Sequence, residues 1–348
     1  MKNLTIRADI TIHQAMKTLG KTGEKCLLVV NEDKKLLGTL TDGDLRRSIL
    51  AGAKFSQDIS GSYNIKPTVL IKGKYNVEEA KQLLRDLKLD LIPIVDENHL
   101  VVDYITWSGM GGKSQQKKSL ADVSVVIMAG GKGTRMEPFT KVLPKPLVPL
   151  HEKPVIEHII EHFTNVGVDE FILTVNYKAL IMKAYFEELR PDYSVDFVEE
   201  QEPLGTAGSL KFLENRFIEP FMVTNCDIII KADYPDLYAF HQKNGYDITL
   251  VASMKNYIIP YGTCELNGEG HLKQINEKPE FDFLANTGLY VLNPDVLHLI
   301  PADKLYHITH LIEDAQKDGK KIGVYPIDDA AWIDVGQWAE YRQAVERL

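Results

Sequence analysis

Gly130, Gly131 and Gly133 lie close together, followed by Arg135 and then by Lys145 between Pro144 and Pro146, in the stretch VVIMAGGKGTRMEPFTKVLPKP. Glycines permit the backbone turns that bring several N–H groups to one ligand, so such a loop is built for an anion. Two familiar glycine motifs do not fit it. A dinucleotide fingerprint needs a third glycine where Met136 stands, and a P-loop needs Gly-Lys-Ser/Thr where the chain has Lys132-Gly133-Thr134. The nearby GGKS at Gly111 to Ser114 is a decoy, because Trp107 occupies the position of its required first glycine.

The elements around this loop set its place. Val125 to Met128 reads as a short buried strand, and after it apolar strands alternate with amphipathic helices. KPVIEHIIEHF is a helix that Pro154 starts and Gly167 ends, and FILTVNY and ALIMKAYFEEL follow as strand and helix. This alternation predicts an α/β sheet of mainly parallel strands, in which ligands collect at the carboxyl ends of strands, where the glycine loop sits.

A chain of 348 residues with 44% hydrophobic content exceeds the roughly 250 to 300 residues at which a single core stops growing, so at least two domains are expected. Cys26, Cys226 and Cys264 show no metal-ligand spacing, which predicts a reduced intracellular chain without a disulfide framework. The first residues have no apolar core of signal length and no later apolar run is long enough to span a bilayer, so the protein is expected to be soluble and cytoplasmic. Residues 1–118 hold 19 Lys and Arg against 14 Asp and Glu, leaving 21 against 35 for the rest. The basic excess is too sparse for a nucleic-acid surface and reads as solubility and docking charge.

The front part contains a repeat. VNEDKKLLGTLT, Val30 to Thr41, aligns without gaps on VDENHLVVDYIT, Val95 to Thr106. Each copy follows a helical pattern, Ile12, Ala15, Met16 and Leu19 in the first and Val77, Ala80, Leu83, Leu84 and Leu87 in the second. The unit is helix, strand, turn, strand, helix, too short to bury its own sheet face, so the pair should pack as one module. This pattern resembles a tandem pair of CBS domains over about Met1 to Gly109. The resemblance implies that Thr41 and Asp44, following Gly38, hold the phosphate and ribose of an adenine nucleotide. In the second copy Thr106 survives, but Asp103 replaces the glycine and Gly109 the ribose-binding aspartate, so at most one intact site is expected. The other reading of the pair is a docking or dimerisation surface. Ser108 to Val123, glycine-rich and then basic and polar, reads as a linker. The expected segments are CBS copies at 1–60 and 61–116, a linker at 117–122 and one further domain at 123–348.

That last segment resembles the sugar nucleotidyltransferases, which join a sugar 1-phosphate to a nucleoside triphosphate and release pyrophosphate. The resemblance rests on AGGKGTRMEPFT and LPKPLVPL, then in order on EEQEPLGTAGSL, VTNCDIII, NEKPE, LANTGLYVLN and WIDVG. It implies a mainly parallel, Rossmann-like (GT-A-like) sheet preceded by the α+β CBS pair. It also implies that Ala129, Gly130, Gly131, Gly133 and Thr134 wrap the triphosphate while Arg135 and Lys145 neutralise it as the catalytic cations. Phosphoryl-type transfer asks a protein mainly for positioning and charge stabilisation, which suits two cations and a metal. By the same resemblance Asp227 and Asp334 hold one Mg²⁺, an ion that prefers oxygen ligands and few protein contacts. On the sugar side Glu277 accepts from hydroxyls, Lys278 pairs with the sugar phosphate, Asn286 holds the ring and Gly262 lines the pocket. Cys226, beside Asp227, has no evident base and is read as packing.

The wording EPLGTAG is closest to enzymes that use GTP, notably mannose-1-phosphate guanylyltransferases, with Gly205 passing close to the nucleobase or sugar. Guanine offers two adjacent donors, and a carboxylate such as Glu200 or Glu202 is their natural acceptor. Uridylyl- and thymidylyl-transferring relatives share the scaffold. The joining of a CBS pair to a transferase resembles bacterial enzymes that activate hexoses or amino-hexoses for surface glycans, including the GDP-glucosamine branch leading to legionaminic acid. A homo-oligomer is expected. The reading from another class is a non-catalytic nucleotide sensor, against which the intact set Arg135, Lys145, Asp227, Lys278 and Asp334 argues.

Overall fold

A computed structural model describes residues 3–87, 89–106, 120–268 and 270–347. They fall into two compact units, Met1–Gln116 with Met254–Ala285 and Asp328–Ala330, and Lys117–Ser253 with Asn286–Ile327 and Ala331–Leu348. Gly109, the GGKS decoy and most of the expected linker lie outside the described residues.

The second unit is organised by a seven-stranded sheet in the order Ser194–Glu199, Glu170–Val175, Val125–Met128, Phe221–Asn225, Glu280–Leu292, Ile248–Ile258, Ile322–Ile327. The first four strands are parallel to their neighbours, whereas Glu280–Leu292 runs antiparallel to Phe221–Asn225. All four residues of Val125–Met128 are buried because alternate side chains enter two different cores. Val125 and Ile127 pack with Val155, Ile156, Ile159, Ile160 and Phe163, the buried face of helix Val155–Thr164. Val126 and Met128 pack with Leu311 and Ala315 of helix Ile308–Lys317. From Val125–Met128 the chain passes to Glu170–Val175 on one side and later returns as Phe221–Asn225 on the other. The order therefore reverses at Val125–Met128, and a crevice opens beyond the carboxyl ends of these two strands.

In the first unit the repeat holds to the level of single residues. Strands Thr5–Arg7, Cys26–Val30 and Leu36–Thr41 form one three-stranded sheet, and Leu70–Ile71, Leu91–Val95 and Val101–Thr106 form the other. Helices Ile12–Thr22 and Val77–Asp86 follow the first strand of each, capped by Thr11 and Asn76. Both hairpins turn through a left-handed residue, Lys34 at φ 62° and His99 at φ 66°. The side chains of Asn31 and Asp96 accept from the backbone N–H groups of Lys35 (2.9 Å) and Leu100 (2.8 Å) in the two turns. Lys35 and Leu100, equivalent positions, pair with each other, so the copies meet through an approximate two-fold. Val77 and Leu87 of the second helical pattern are exposed rather than core.

Met254–Ala285, expected within the 123–348 segment, clusters with this first unit. Met254 is buried in the apolar core around Leu19, Leu27, Leu40 and Leu45, and Lys255 pairs with Asp329. The segment carries an antiparallel hairpin, Thr263–Leu266 with Leu272–Asn276. One methionine in a continuous strand gives no sequence sign of this allegiance.

Candidate active site

The glycine loop leaves Val125–Met128 at the strand-order reversal and lines a cleft of about 370 Å³ with Lys145, Glu200, Gly205, Thr206, Asn225 and Asp227. Gly130, Gly131, Gly133, Thr134 and Arg135 all face it. Ala129 does not; it is buried, and its N–H donates to the Thr174 carbonyl (2.8 Å), so it anchors the loop. Gly133 adopts φ 67°, and a Cβ there would stand 2.9 Å from Thr140 Cγ2 and 3.0 Å from Lys145 Cβ, which excludes a side chain. Arg135 is exposed at the cleft, whereas Lys145, on a single 3₁₀ turn after Pro144, is buried and ion-paired to Asp227 Oδ2. A buried ammonium needs such a partner, and the pair fixes the lysine charge at the end of the loop.

Asp227 sits in the turn between Phe221–Asn225 and Ile228–Ile230. The latter pairs antiparallel with Trp332–Asp334 so that Ile228 lies opposite Asp334, and Val335 N–H donates to the Asp227 carbonyl (2.9 Å). This ladder brings together two aspartates more than a hundred residues apart in sequence. Asp334 Oδ1 accepts from Gly336 N–H (2.6 Å). Burial raises the Asp334 carboxyl above the ordinary aspartate range and Asp227 adds to this, against the opposing Gly336 N–H and Lys145. A Cβ on Gly336 would lie 2.8 Å from Asp334 Oδ1, 3.0 Å from Asp227 Oδ2 and 3.3 Å from Lys145 Nζ. The missing side chain thus leaves a cradle between two carboxylate oxygens. Among the described residues no group of three or more His, Cys, Asp or Glu forms a cation cage. Two carboxylates around a cradle fit Mg²⁺, which takes few protein ligands and completes its shell with phosphate oxygens and water. The WIDVG stretch pointed to Asp334 and left the role of Gly336 unread.

The loop that follows strand Ser194–Glu199 lines the cleft with Glu200, Gly205 and Thr206. Glu200 is buried in the cleft wall, its Oε2 accepts from Leu204 N–H (3.0 Å), and its Oε1 would stand 2.9 Å from a Cβ on Gly130. Burial pushes its carboxyl above the ordinary glutamate range against the Leu204 bond. Glu202 is exposed. Gly205 has φ 83°, and a Cβ there would lie 2.7 Å from the Tyr306 carbonyl oxygen. Its close approach is therefore to the chain's own backbone. Tyr306 N–H donates to Leu204 O (2.8 Å), and Tyr306 O accepts from Ala207 (3.0 Å) and Gly208 (3.1 Å). Tyr306 had no local sequence signal, since it acts through its backbone from a distant segment.

Of the residues expected at a sugar, Asn286 donates to Tyr290 Oη (2.8 Å) and accepts from Gly288 N–H (3.1 Å). Gly288, at φ 90°, gives way to Asn225 Nδ2, which a Cβ would approach to 2.4 Å, so this turn packs on the strand end preceding Asp227. Gly262, Glu277 and Lys278 belong to the first unit. There a Cβ on Gly262 would lie 2.9 Å from Glu277 Oε2, and Lys278 holds φ 45°, a left-handed conformation that non-glycine residues keep mainly where surrounding structure imposes it. Cys226 is buried and its thiol is pushed up to about 12, chiefly by burial with Asp227 adding, which makes it a packing group.

Thr41 and Asp44 form a capping box on helix Asp42–Leu50. Thr41 N–H and Oγ1 both donate to Asp44 Oδ2 (2.9 and 2.6 Å), and Asp44 Oδ1 pairs with the exposed Arg47. Gly38 makes room for the chain itself, since a Cβ would lie 2.3 Å from the Asn64 carbonyl oxygen. No described helix is long and apolar enough to cross a membrane.

Residues 1–51 match the CBS domain family, and residues 124–348 match the family described as nucleotidyl transferase. The mannose-1-phosphate guanyltransferase of Schizosaccharomyces pombe is 34% identical over 229 residues, covering 63% of this chain and 62% of that protein. That of Yarrowia lipolytica is 36% identical over 222 residues, covering 61% and 60%. The chain thus spans about three-fifths of the length of these relatives. Among solved structures, HddC from Yersinia pseudotuberculosis complexed with GMP-PN is 27% identical with a TM-score of 0.52, covering 65% of this chain and 99% of that one. With the greater part of its length matched, and with the glycine loop, the buried lysine and the paired aspartates gathered at one strand-order reversal, the chain belongs to the nucleotidyl transferase family.

Proposed function

We propose that the protein transfers a guanylyl group from GTP to a hexose or amino-hexose 1-phosphate, giving a GDP-sugar and pyrophosphate. The observation that carries this reading is the convergence of Lys145, Asp227 and Asp334 on the Gly336 cradle beside the glycine loop. In this reaction a sugar-phosphate oxygen forms a bond to the α-phosphorus as the bond to the pyrophosphate oxygen breaks. The loop N–H groups and Arg135 hold the triphosphate, and Lys145 supplies positive charge where the leaving group develops negative charge. Asp227 and Asp334 would hold Mg²⁺, which neutralises phosphate charge. Guanine is favoured by Glu200, whose raised affinity for its proton reflects a dry wall where one hydrogen-bonded base can be preferred over others. The mannose-1-phosphate guanyltransferase relatives and the GMP-PN-bound HddC support the same base. Glu277 and Lys278 are assigned to the sugar phosphate. The test is a matrix of nucleoside triphosphates against sugar 1-phosphates scored by pyrophosphate release. Release with UTP or dTTP in place of GTP would replace the base assignment, and no release with any pair would leave a nucleotide-sensing role. Thr41 and Asp44 are assigned to an adenine nucleotide that displaces Arg47 from Asp44, a reading that calorimetry with ATP, ADP and AMP checks.

A further inference from the structure

The glycine turn that presents Thr134 and Arg135 is tied to two residues that do not line the cleft. Thr140 is buried, and its Oγ1 donates to the Gly133 carbonyl (2.9 Å). Its methyl fills the place a Cβ on Gly133 would take, so Thr140 braces the left-handed turn by contact as well as by hydrogen bond. The Thr140 carbonyl in turn accepts from Lys178 Nζ and from Tyr177 Oη, both at 3.3 Å, and Lys178 Nζ also donates to the Lys141 carbonyl (2.6 Å).

These carbonyls belong to Phe139–Val142, a helix of four residues whose C-terminal oxygens have no intrahelical N–H to accept from. Apolar burial holds this helix only weakly, since Val142 is 71% and Phe139 43% exposed. Phe139 packs against the Trp338 ring (5.0 Å), Trp338 Nε1 donates to Glu137 O (2.8 Å), Thr140 ties the helix to Gly133, and the lysine and the tyrosine add their hydrogen bonds to its carbonyls. Lys178 itself keeps φ 58° at the N-cap of helix Ala179–Leu189, where its side chain caps nothing. A lysine held in a disfavoured backbone conformation, with its ammonium spent on another segment's carbonyls, points to a role in that segment.

We propose that Thr140 and Lys178 are positioning residues for the triphosphate, acting through Gly133 to hold the turn in the shape that offers Thr134 and Arg135 to the phosphates. This rests on the reading of the cleft as a nucleoside triphosphate site. It assigns the two residues to the phosphate half of that ligand and not to its base.

The test uses the full chain with Mg²⁺ and calorimetry of GTP, inorganic tripolyphosphate and GMP against Thr140→Val, Thr140→Ser, Lys178→Met and Lys178→Arg. Thr140→Val removes the bond to the Gly133 carbonyl and Lys178→Met the bonds to the Thr140 and Lys141 carbonyls, and a loss of this kind is expected to weaken GTP and tripolyphosphate binding about tenfold. GMP binding is expected to change less than about twofold because it lacks the β- and γ-phosphates. Thr140→Ser and Lys178→Arg, which keep the donors, are expected to restore most of the affinity with unchanged melting temperature. Equal weakening of all three ligands together with a fall in melting temperature would show a merely structural role and overturn the proposal. Unchanged affinity for tripolyphosphate in both donor-less variants would overturn it as well. Wild-type protein that binds neither GTP nor tripolyphosphate would overturn the reading of the cleft itself, and tripolyphosphate binding without GTP binding would overturn only the base.

Discussion

Gly336 is the residue at which the candidate metal site is most exposed to test. Its backbone keeps a φ open to any residue, so Gly336→Ala adds only a methyl, and that methyl falls between Asp227, Asp334 and Lys145. The fold is expected to survive, with the Mg²⁺ concentration for half-maximal pyrophosphate release rising about tenfold or more, as a cost of 1.4 kcal/mol or above would give. An unchanged Mg²⁺ titration would remove Gly336 from the site. Asp227→Asn keeps the volume and halves the carboxylate pair. Because a bound metal supplies several kcal/mol of charge stabilisation, turnover is expected to fall at least about a hundredfold with circular dichroism unchanged. Glu200 offers a prediction of opposite sign. Burial makes the folded protein hold this proton more tightly than the unfolded chain does. The associated stability is therefore complete below the ordinary glutamate range and is lost as pH rises through the raised value. Glu200→Gln keeps an acceptor for Leu204 N–H and removes the buried charge, so its urea midpoint is expected to match or exceed wild type at pH 8, the gap closing toward pH 4. The same variant is expected to lose preference for GTP, because one of the two guanine donors meets an amide N–H₂. Lower stability at pH 8 than at pH 4 relative to wild type would contradict the sign.

At the scale of elements, the loop after Ser194–Glu199 shows how a cleft-lining segment is held in place. Residues 204–208 are hung on the Tyr306 backbone by three hydrogen bonds, and Gly205 is the point of closest approach. Gly205→Ala forces a side chain into φ 83° and against the Tyr306 carbonyl, a strain on the order of 1 to 3 kcal/mol. On the proposed assignment of this loop to the base, GTP affinity is expected to fall while tripolyphosphate affinity holds. Equal losses for both ligands would show that the two loops act as one. Much of this was legible beforehand. Val125–Met128 announced itself as a continuous apolar run, helix Ala179–Leu189 matched its sequence pattern end to end, and the repeat alignment carried over to the hairpin turns at Lys34 and His99. What stayed hidden were partnerships made by backbone atoms or by missing side chains. Tyr306 works through N–H and C=O groups that every residue possesses, Gly336 through the absence of a Cβ, and Met254 through burial that no periodicity marks. Gly205 was singled out as a close approach to the nucleobase or sugar, and the neighbour the structure gives it is the chain's own Tyr306 carbonyl; Gly38, read only as part of a motif, makes a like approach to the Asn64 carbonyl.

At the scale of the whole molecule, the unit built from the N-terminal repeat also includes Met254–Ala285, and with it Gly262, Glu277 and Lys278. Met254, 1% exposed, belongs to the same apolar core as Leu45 of helix Asp42–Leu50, the helix that Thr41 and Asp44 cap. A Cβ on Gly20 would lie 3.4 Å from Asp328 Oδ1 and the adjoining Asp329 pairs with Lys255, so within the first unit Asp328–Ala330 links the repeat to Met254–Ala285. A close-packed core transmits a shift in one of its members to the others, because it repacks in discrete arrangements and does not deform smoothly. An adenine nucleotide at Thr41 and Asp44 is therefore expected to alter the KM for the sugar 1-phosphate more than the KM for GTP. The coupling should be on the order of 1 to 3 kcal/mol, roughly 5- to 150-fold, and the sugar phosphate should change nucleotide affinity by the same factor. Initial rates over both substrates, with and without saturating AMP or ATP, read this directly. Asp44→Ala should abolish the effect, and Met254→Ala should weaken it while nucleotide still binds. An effect confined to the KM for GTP would show that the influence travels by another route.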